Sequence, residues 1–168
     1  MEKEILNLIS EASESKVYED DYYESANNEF ALNVIKEILK MYNDGMSAED
    51  IKFCLYRESN NISSIWRIKI CRLAILNGYT KEQILFMLNH PNLQNFTWID
   101  KALEHNLSFE NIKTALNANK EICDWIIIGH INNGLSFEQF KPFLDIEDIL
   151  EFIDAIKKHY GVDLIKDW

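Results

Sequence analysis

Apolar residues return along this chain every three or four positions, the rhythm of an amphipathic helix, and the two-residue alternation of a half-buried strand is nowhere sustained. Ile51 and Leu55, Ile84 and Leu88, Ile112 and Leu116, and Phe140 and Leu144 each stand four apart, so each pair shares one helical face. The same punctuation precedes every pair. It reads Gly45-Met46-Ser47-Ala48-Glu49-Asp50, then Gly78-Tyr79-Thr80-Lys81-Glu82-Gln83, then Asn106-Leu107-Ser108-Phe109-Glu110-Asn111, then Gly134-Leu135-Ser136-Phe137-Glu138-Gln139. Gly161-Val162-Asp163 is a degraded fifth copy. The copies begin at 45, 78, 106, 134 and 161, steps of 33, 28, 28 and 27 residues, a period that signals stacked supersecondary units.

Each copy predicts a turn between two helices. Glycine, or Asn106, takes the left-handed conformation that ends the incoming helix. The apolar residue that follows folds back on that helix, and Ser47, Thr80, Ser108 or Ser136 then caps the outgoing one. Asp163 takes the capping place in the fifth copy. Glu49, Glu82, Glu110 and Glu138 follow where negative charge suits a helix N-terminus, and Gln83 and Gln139 complete capping boxes. The incoming helices carry anchors seven residues before the turn (Ile38, Cys71, Ile99, Ile127) and three before it (Tyr42, Ile75, Leu103, Ile131).

The predicted fold is therefore all-α: about five stacked helix-turn-helix repeats of about 28 residues, a short α-solenoid. An N-terminal helix from Met1 to about Ser15 and an irregular acidic segment over 16–29 precede it. The expected division is 1–29, packed on the main domain, and 30–168, the repeat domain. Pro142 predicts a brief fourth outgoing helix. The short, polar fifth unit reads as a capping repeat.

Composition changes this picture in two ways. The 168 residues are 47% hydrophobic, which excludes a wholly disordered chain. The net charge of −11 is unevenly placed. Residues 1–29 hold nine acidic and two basic side chains, 145–168 hold seven and three, and the middle is neutral. Acidic ends disfavour direct nucleic-acid binding, which needs Lys and Arg on phosphates, and suit a basic protein surface. Met1-Glu2-Lys3-Glu4 opens no secretory signal, and no run nears the roughly 20 apolar residues of a membrane span. Cys54, Cys71 and Cys123 are odd in number and scattered, the pattern of buried thiols in a reducing compartment. The expected location is cytoplasmic.

No catalytic motif, cofactor site or metal spacing emerges. His90, His105, His130 and His159 lack the spacing of a zinc site, and no nucleophile elbow or phosphate loop is present. Three features are left as candidate contact surfaces. Tyr18, Glu19, Asp20, Asp21, Tyr22, Tyr23 and Glu24 interleave carboxylates with flat rings, so the segment imitates a nucleic-acid strand or is a solvated acidic loop. Trp66, Trp98 and Trp125 are placed in incoming helices, as a binding ridge or as packing between repeats. Arg57, Arg67, Lys69 and Arg72, beside Trp66, contact phosphate or an acidic partner, or balance nearby acids on a solvated face.

The turn phrase Gly134-Leu135-Ser136-Phe137-Glu138-Gln139, recurring near 28 residues, resembles short helical repeats in proteins of phages and conjugative elements of low-GC Gram-positive bacteria. The Lys/Asn/Ile-rich composition resembles that source too. The likeness covers about 30–168 and implies the repeat architecture; it brings no catalytic residues. Small acidic proteins of such elements include anti-CRISPR inhibitors, which block a nuclease's nucleic-acid channel. The expectation is thus a non-catalytic protein-binding module. Its specific form is a mobile-element inhibitor occluding the basic nucleic-acid groove of a host defence nuclease, through Tyr18 to Glu24, Trp66 and Arg67. The alternative is a generic helical scaffold that holds a peptide or helix of a cytoplasmic partner.

Overall fold

In the computed structural model, which describes residues 2–13, 24–56, 63–95, 98–118 and 122–167, every extended element is a helix. The α-helices are α1 (Glu2–Ser13), α2 (Glu24–Asn43), α3 (Ala48–Leu55), α4 (Ile65–Leu76), α5 (Lys81–Asn89), α6 (Ile99–Glu104), α7 (Phe109–Asn117), α8 (Cys123–Asn133), α9 (Phe137–Phe140) and α10 (Ile149–Tyr160). Short 3-10 segments follow α5 (Pro91–Asn95), α9 (Lys141–Phe143) and α10 (Leu164–Asp167). The chain forms two compact units, Met1–Ile75 and Leu76–Trp168.

All five anticipated turn residues adopt positive φ: Gly45 78°, Gly78 78°, Asn106 55°, Gly134 69° and Gly161 71°. Around Gly45 the amides of Gly45 and Met46 donate to the carbonyls of Tyr42 and Met41; around Asn106 those of Asn106 and Leu107 donate to Leu103 and Ala102. These are paired Schellman bonds that satisfy the last carbonyls of a helix. The Gly134 turn is wider, with Leu135 N donating to the Gly129 carbonyl. The next residue is buried in four copies, Met46, Tyr79, Leu107 and Leu135. The caps then form: Ser47 accepts from Asp50 N, Thr80 from Gln83 N and Ser108 from Asn111 N, while Ser136 N donates to Gln139 Oε1. Asp148, which the sequence reading did not nominate, caps α10 by accepting from Glu151 N.

The first unit packs α1, α2, α3 and most of α4. Ile5 and Leu8 of α1, Val34, Ile38 and Met41 of α2, Ile51 and Leu55 of α3, and Ile68 and Cys71 of α4 are buried. Tyr56 donates its hydroxyl to Glu11, tying α1 to the end of α3. Glu37 of α2 is 6% exposed, a carboxylate inside this core. Arg72 of α4 meets it as a charge, Nε to Oε2 3.4 Å, and reaches Asp44 with Nη1 at 2.8 Å. Lys40 closes on Glu37 from the solvent side.

In the second unit, side chains bond to backbone about one repeat away. Tyr79 donates its hydroxyl to the Leu107 carbonyl at 2.6 Å, and these two residues hold the same place in consecutive turns. Burial pushes the Tyr79 phenol pKa up, so it stays a donor. Asn77 Nδ2 reaches Leu103 O, Asn92 Nδ2 reaches Leu116 O and Ala118 O, and Trp98 N donates to Asp124 Oδ1. Ile84, Ile112 and Phe140, equivalent in the repeat, are fully buried. Phe140 packs against Phe137 and Phe152. Gly129 sits where Phe140 crosses α8: an added Cβ would lie 2.7 Å from Phe140 Cζ and 3.1 Å from Leu164 Cδ2.

Three expectations need correction. Residues 24–29, expected to be irregular, are the first turns of α2. Trp98 stands at the N-cap of α6 and outside its helical turns. The anchor three before the turn is only half-buried at Tyr42, Ile75 and Ile131, whereas Met41, Ala74 and Ala102, four before it, are buried. The period alone does not choose between them: seen from the buried position seven before the turn, the residue four before it lies about 60° to one side and the residue three before it about 40° to the other.

Two predictions follow from these contacts. Gly129→Ala gains about 1 kcal/mol of helix propensity but overpacks a filled core at about 1–3 kcal/mol. Urea unfolding is expected to show a net loss; a net gain would mean that the Phe140 ring yields freely. Arg72→Met leaves the Glu37 charge without its buried partner and is expected to cost about 3 kcal/mol. Glu37→Met/Arg72→Met together should cost less than Arg72→Met alone in the same measurement.

Candidate functional site

The residues nominated from sequence divide into three groups. Tyr18, Glu19, Asp20, Asp21, Tyr22 and Tyr23 lie outside the described residues. Glu24 is the first residue of α2. Trp66 and Arg67 stand side by side in the first turn of α4, with Trp66 40% exposed and Arg67 half-buried. Trp66 is therefore a surface tryptophan, while Trp98 and Trp125, both in the second unit, are half-buried.

The basic group beside Trp66 does not act as one set. Arg57 lies outside the described residues. Arg72 is 15% exposed at its side chain and spends its guanidinium on Glu37 and Asp44. A buried arginine already paired with two carboxylates is a poor phosphate ligand, because releasing it would strand Glu37. The functional reading of the group is thus reduced to Arg67 and Lys69.

Three histidines have structural partners. His90 bonds Asn117 through Nε2, His130 Nδ1 meets the Leu135 carbonyl at 2.7 Å, and His159 Nδ1 meets the Ala155 carbonyl. His130 also packs on Phe137, and His159 on Phe143. Cys54, Cys71 and Cys123 are all buried. Among the described residues no group of three or more His, Cys, Asp or Glu is placed to hold a metal ion, and no helix is long and apolar enough to cross a membrane.

The acidic C-terminal end, expected from sequence only as an excess of charge, is resolved into individual residues. Asp145, Glu147, Asp148, Glu151 and Asp154 are all exposed, and Leu150 among them is 66% exposed. The cause is the phase of α10. Phe152, Ile153 and Ile156 face the core, which turns Leu150, Glu151 and Asp154 outward. The excess of acids over 145–168 was countable beforehand, and the apolar period of α10 was the signal that would have placed them. A second exposed stripe lies on α5, where Leu85 is 44% and Phe86 40% exposed. Phe86 meets Phe109 edge to face at 5.8 Å, and Phe109 meets Tyr79 in the same manner. Lys113 Nζ stands 6.0 Å from the Phe109 ring centre.

At the C-terminal end of α10, Lys157 Nζ donates to Asp163 Oδ2 at 2.8 Å. The Lys157 hydrogen bond holds the Asp163 carboxyl below its usual 3.8, helped by Lys157's charge and the Ile165 amide. Asp163 in turn raises Lys157 above 10.5. The Asp163 contribution to stability is present above about pH 3.8 and is lost as pH falls through its lower folded value. That of Lys157 is present below about pH 10.5 and is lost as pH rises through its higher folded value. A carboxyl NMR titration should place Asp163 below 3.8, and Lys157→Met should return it upward. An unmoved midpoint would mean that the pair is not formed in solution.

Comparison of the chain with protein-family models, with curated proteins and with solved structures found no match.

Proposed function

We propose that this protein is a non-catalytic protein-binding module of the α-solenoid kind, which engages a basic nucleic-acid-binding enzyme through acidic surface. The specific reading is an inhibitor, encoded by a phage or other mobile element, that occupies the nucleic-acid groove of a host defence nuclease in the manner of an anti-CRISPR. One observation carries the reading: five exposed carboxylates within ten residues, 145–154, surround the exposed Leu150. Carboxylates held on a folded surface imitate the charge of a phosphate backbone, and an apolar side chain among them adds contact area that salt does not screen. In the first unit, Trp66 is likewise exposed, and the sequence of Tyr18 to Glu24 is likewise acidic. Hydrogen bonds between consecutive turns, Tyr79 to Leu107 among them, support the repeat-stack part of the reading.

A second reading rests on Leu85 and Phe86. Their exposure on α5 suits a scaffold that holds an apolar helix or peptide of its partner.

The two readings separate by salt. Basic enzymes captured from a Gram-positive bacterial lysate are expected to elute from the immobilised chain as salt rises from about 0.05 to about 0.2 M and to be displaced by single-stranded DNA. Asp145→Asn/Glu147→Gln/Glu151→Gln/Asp154→Asn should weaken capture by about fourfold or more, four exposed contacts at roughly 0.2–1 kcal/mol each. Glu19→Gln/Asp20→Asn/Asp21→Asn/Glu24→Gln tests the other acidic segment in the same way. Capture that ignores salt, DNA and both variants but fails with Phe86→Ser would reject the acidic reading in favour of the scaffold.

A further inference from the structure

Two of the three thiols meet inside the first unit. Cys54 is the penultimate residue of α3 and Cys71 lies midway along α4. They are 3% and 2% exposed, and their side chains share a hydrogen bond. The end of α3 is also tied to the residues that lead into α4, since Ser63 N donates to the carbonyl of Leu55, the neighbour of Cys54, at 2.7 Å.

The repeat supplies an internal comparison. The places equivalent to Cys71 are filled by Ile38, Ile99 and Ile127, and those equivalent to Cys54 by Met87, Ala115 and Phe143. Packing at these positions therefore does not call for sulfur. Cysteine nonetheless occupies both, in the two elements whose side chains touch.

We propose that Cys54 and Cys71 form a reversible disulfide by exchange with a small disulfide of the glutathione class, locking α3 to α4. One cysteine loses its proton to solvent, and its thiolate attacks a sulfur of glutathione disulfide, expelling one glutathione thiolate. The second cysteine, deprotonated in turn, attacks the protein sulfur of that mixed disulfide and expels the second glutathione. Two protein thiols are oxidised to one disulfide, and one glutathione disulfide is reduced to two thiols.

The hydrogen bond to Cys71 and burial raise the Cys54 pKa far above the ordinary thiol range. The closed pair is therefore held as thiols and reacts slowly. Exchange runs through local opening of α3 and α4, and mild denaturant should speed it. Cys123, buried in the second unit at the start of α8, is left out.

The test incubates the full chain with glutathione disulfide, once in buffer and once in urea below the unfolding transition, followed by acid quench, alkylation and trypsin. The expected product joins peptide 53–57 to peptide 70–72, with Cys123 alkylated. This bridge should exceed either bridge to Cys123 by more than about tenfold, the advantage of a preset neighbour. Cys123→Ala should leave it unchanged, and the bridged chain should unfold at higher urea than the reduced one. Separate glutathione adducts on Cys54 and Cys71 in the urea arm, or bridges to Cys123 in comparable yield, would overturn the proposal. So would a bridged chain that unfolds at lower urea, which would mean that the bond is strained into place.

Discussion

Each turn of the repeat passes through one residue held at positive φ, where an ordinary side chain crowds its own backbone. Gly45, Gly78, Asn106, Gly134 and Gly161 occupy that conformation. The rest of the architecture depends on it. A left-handed residue ends one helix, reverses the chain within two positions and delivers an apolar side chain to the core: Met46, Tyr79, Leu107 and Leu135 are each under a tenth exposed. Only after that reversal do Ser47, Thr80 and Ser108 meet the amides they cap. The glutamates beside the caps remain at the surface, so helix-terminal electrostatics and surface acidity come from the same residues.

Interactions at about one repeat's separation then hold neighbouring turns together. In the second unit these are bonds from Tyr79, Asn77 and Asn92 to carbonyls 24 to 28 residues on. In the first unit the link is ionic, Arg72 to Asp44 across 28 residues, with Glu37 buried behind it. A desolvated carboxylate beside a guanidinium is sensitive to losing either partner. The ionic link joins α2 and the residue just past its end to α4. Gly129 serves close packing instead: the missing side chain lets Phe140 and Leu164 lie on α8.

The turns were legible in the sequence because helix ends are local chemistry. A left-handed residue, a hydroxyl and a carboxylate or amide must fall within about six positions, and such a phrase stands out when repeated. The fully buried Ile51, Ile84, Ile112 and Phe140 were legible for the same reason. The start of α2 was not. Glu24 to Glu29 carries no apolar period, and its helix is an extension of the regular turns that follow. The Glu37–Arg72 pair and the Tyr79–Leu107 bond join residues distant in sequence, and no local pattern announces either. Of the candidate site, the exposure of Trp66 and the withdrawal of Arg72 into an ion pair became visible only with the fold. The carboxylates of 145–154 were countable, but they became a surface only once the core-facing side of α10 was fixed.

The conformational claim at the turns is tested most directly by comparing opposite substitutions at equivalent positions. Nothing lies within 4 Å of a Cβ built on Gly45, Gly78 or Gly134, so alanine there probes backbone conformation without a clash. Equilibrium urea unfolding is expected to show each Gly→Ala variant less stable by about 1 kcal/mol, and Asn106→Gly equal to the parent or slightly more stable. Alanine tolerated without loss at all three glycines, or Asn106→Gly as damaging as they are, would contradict the account.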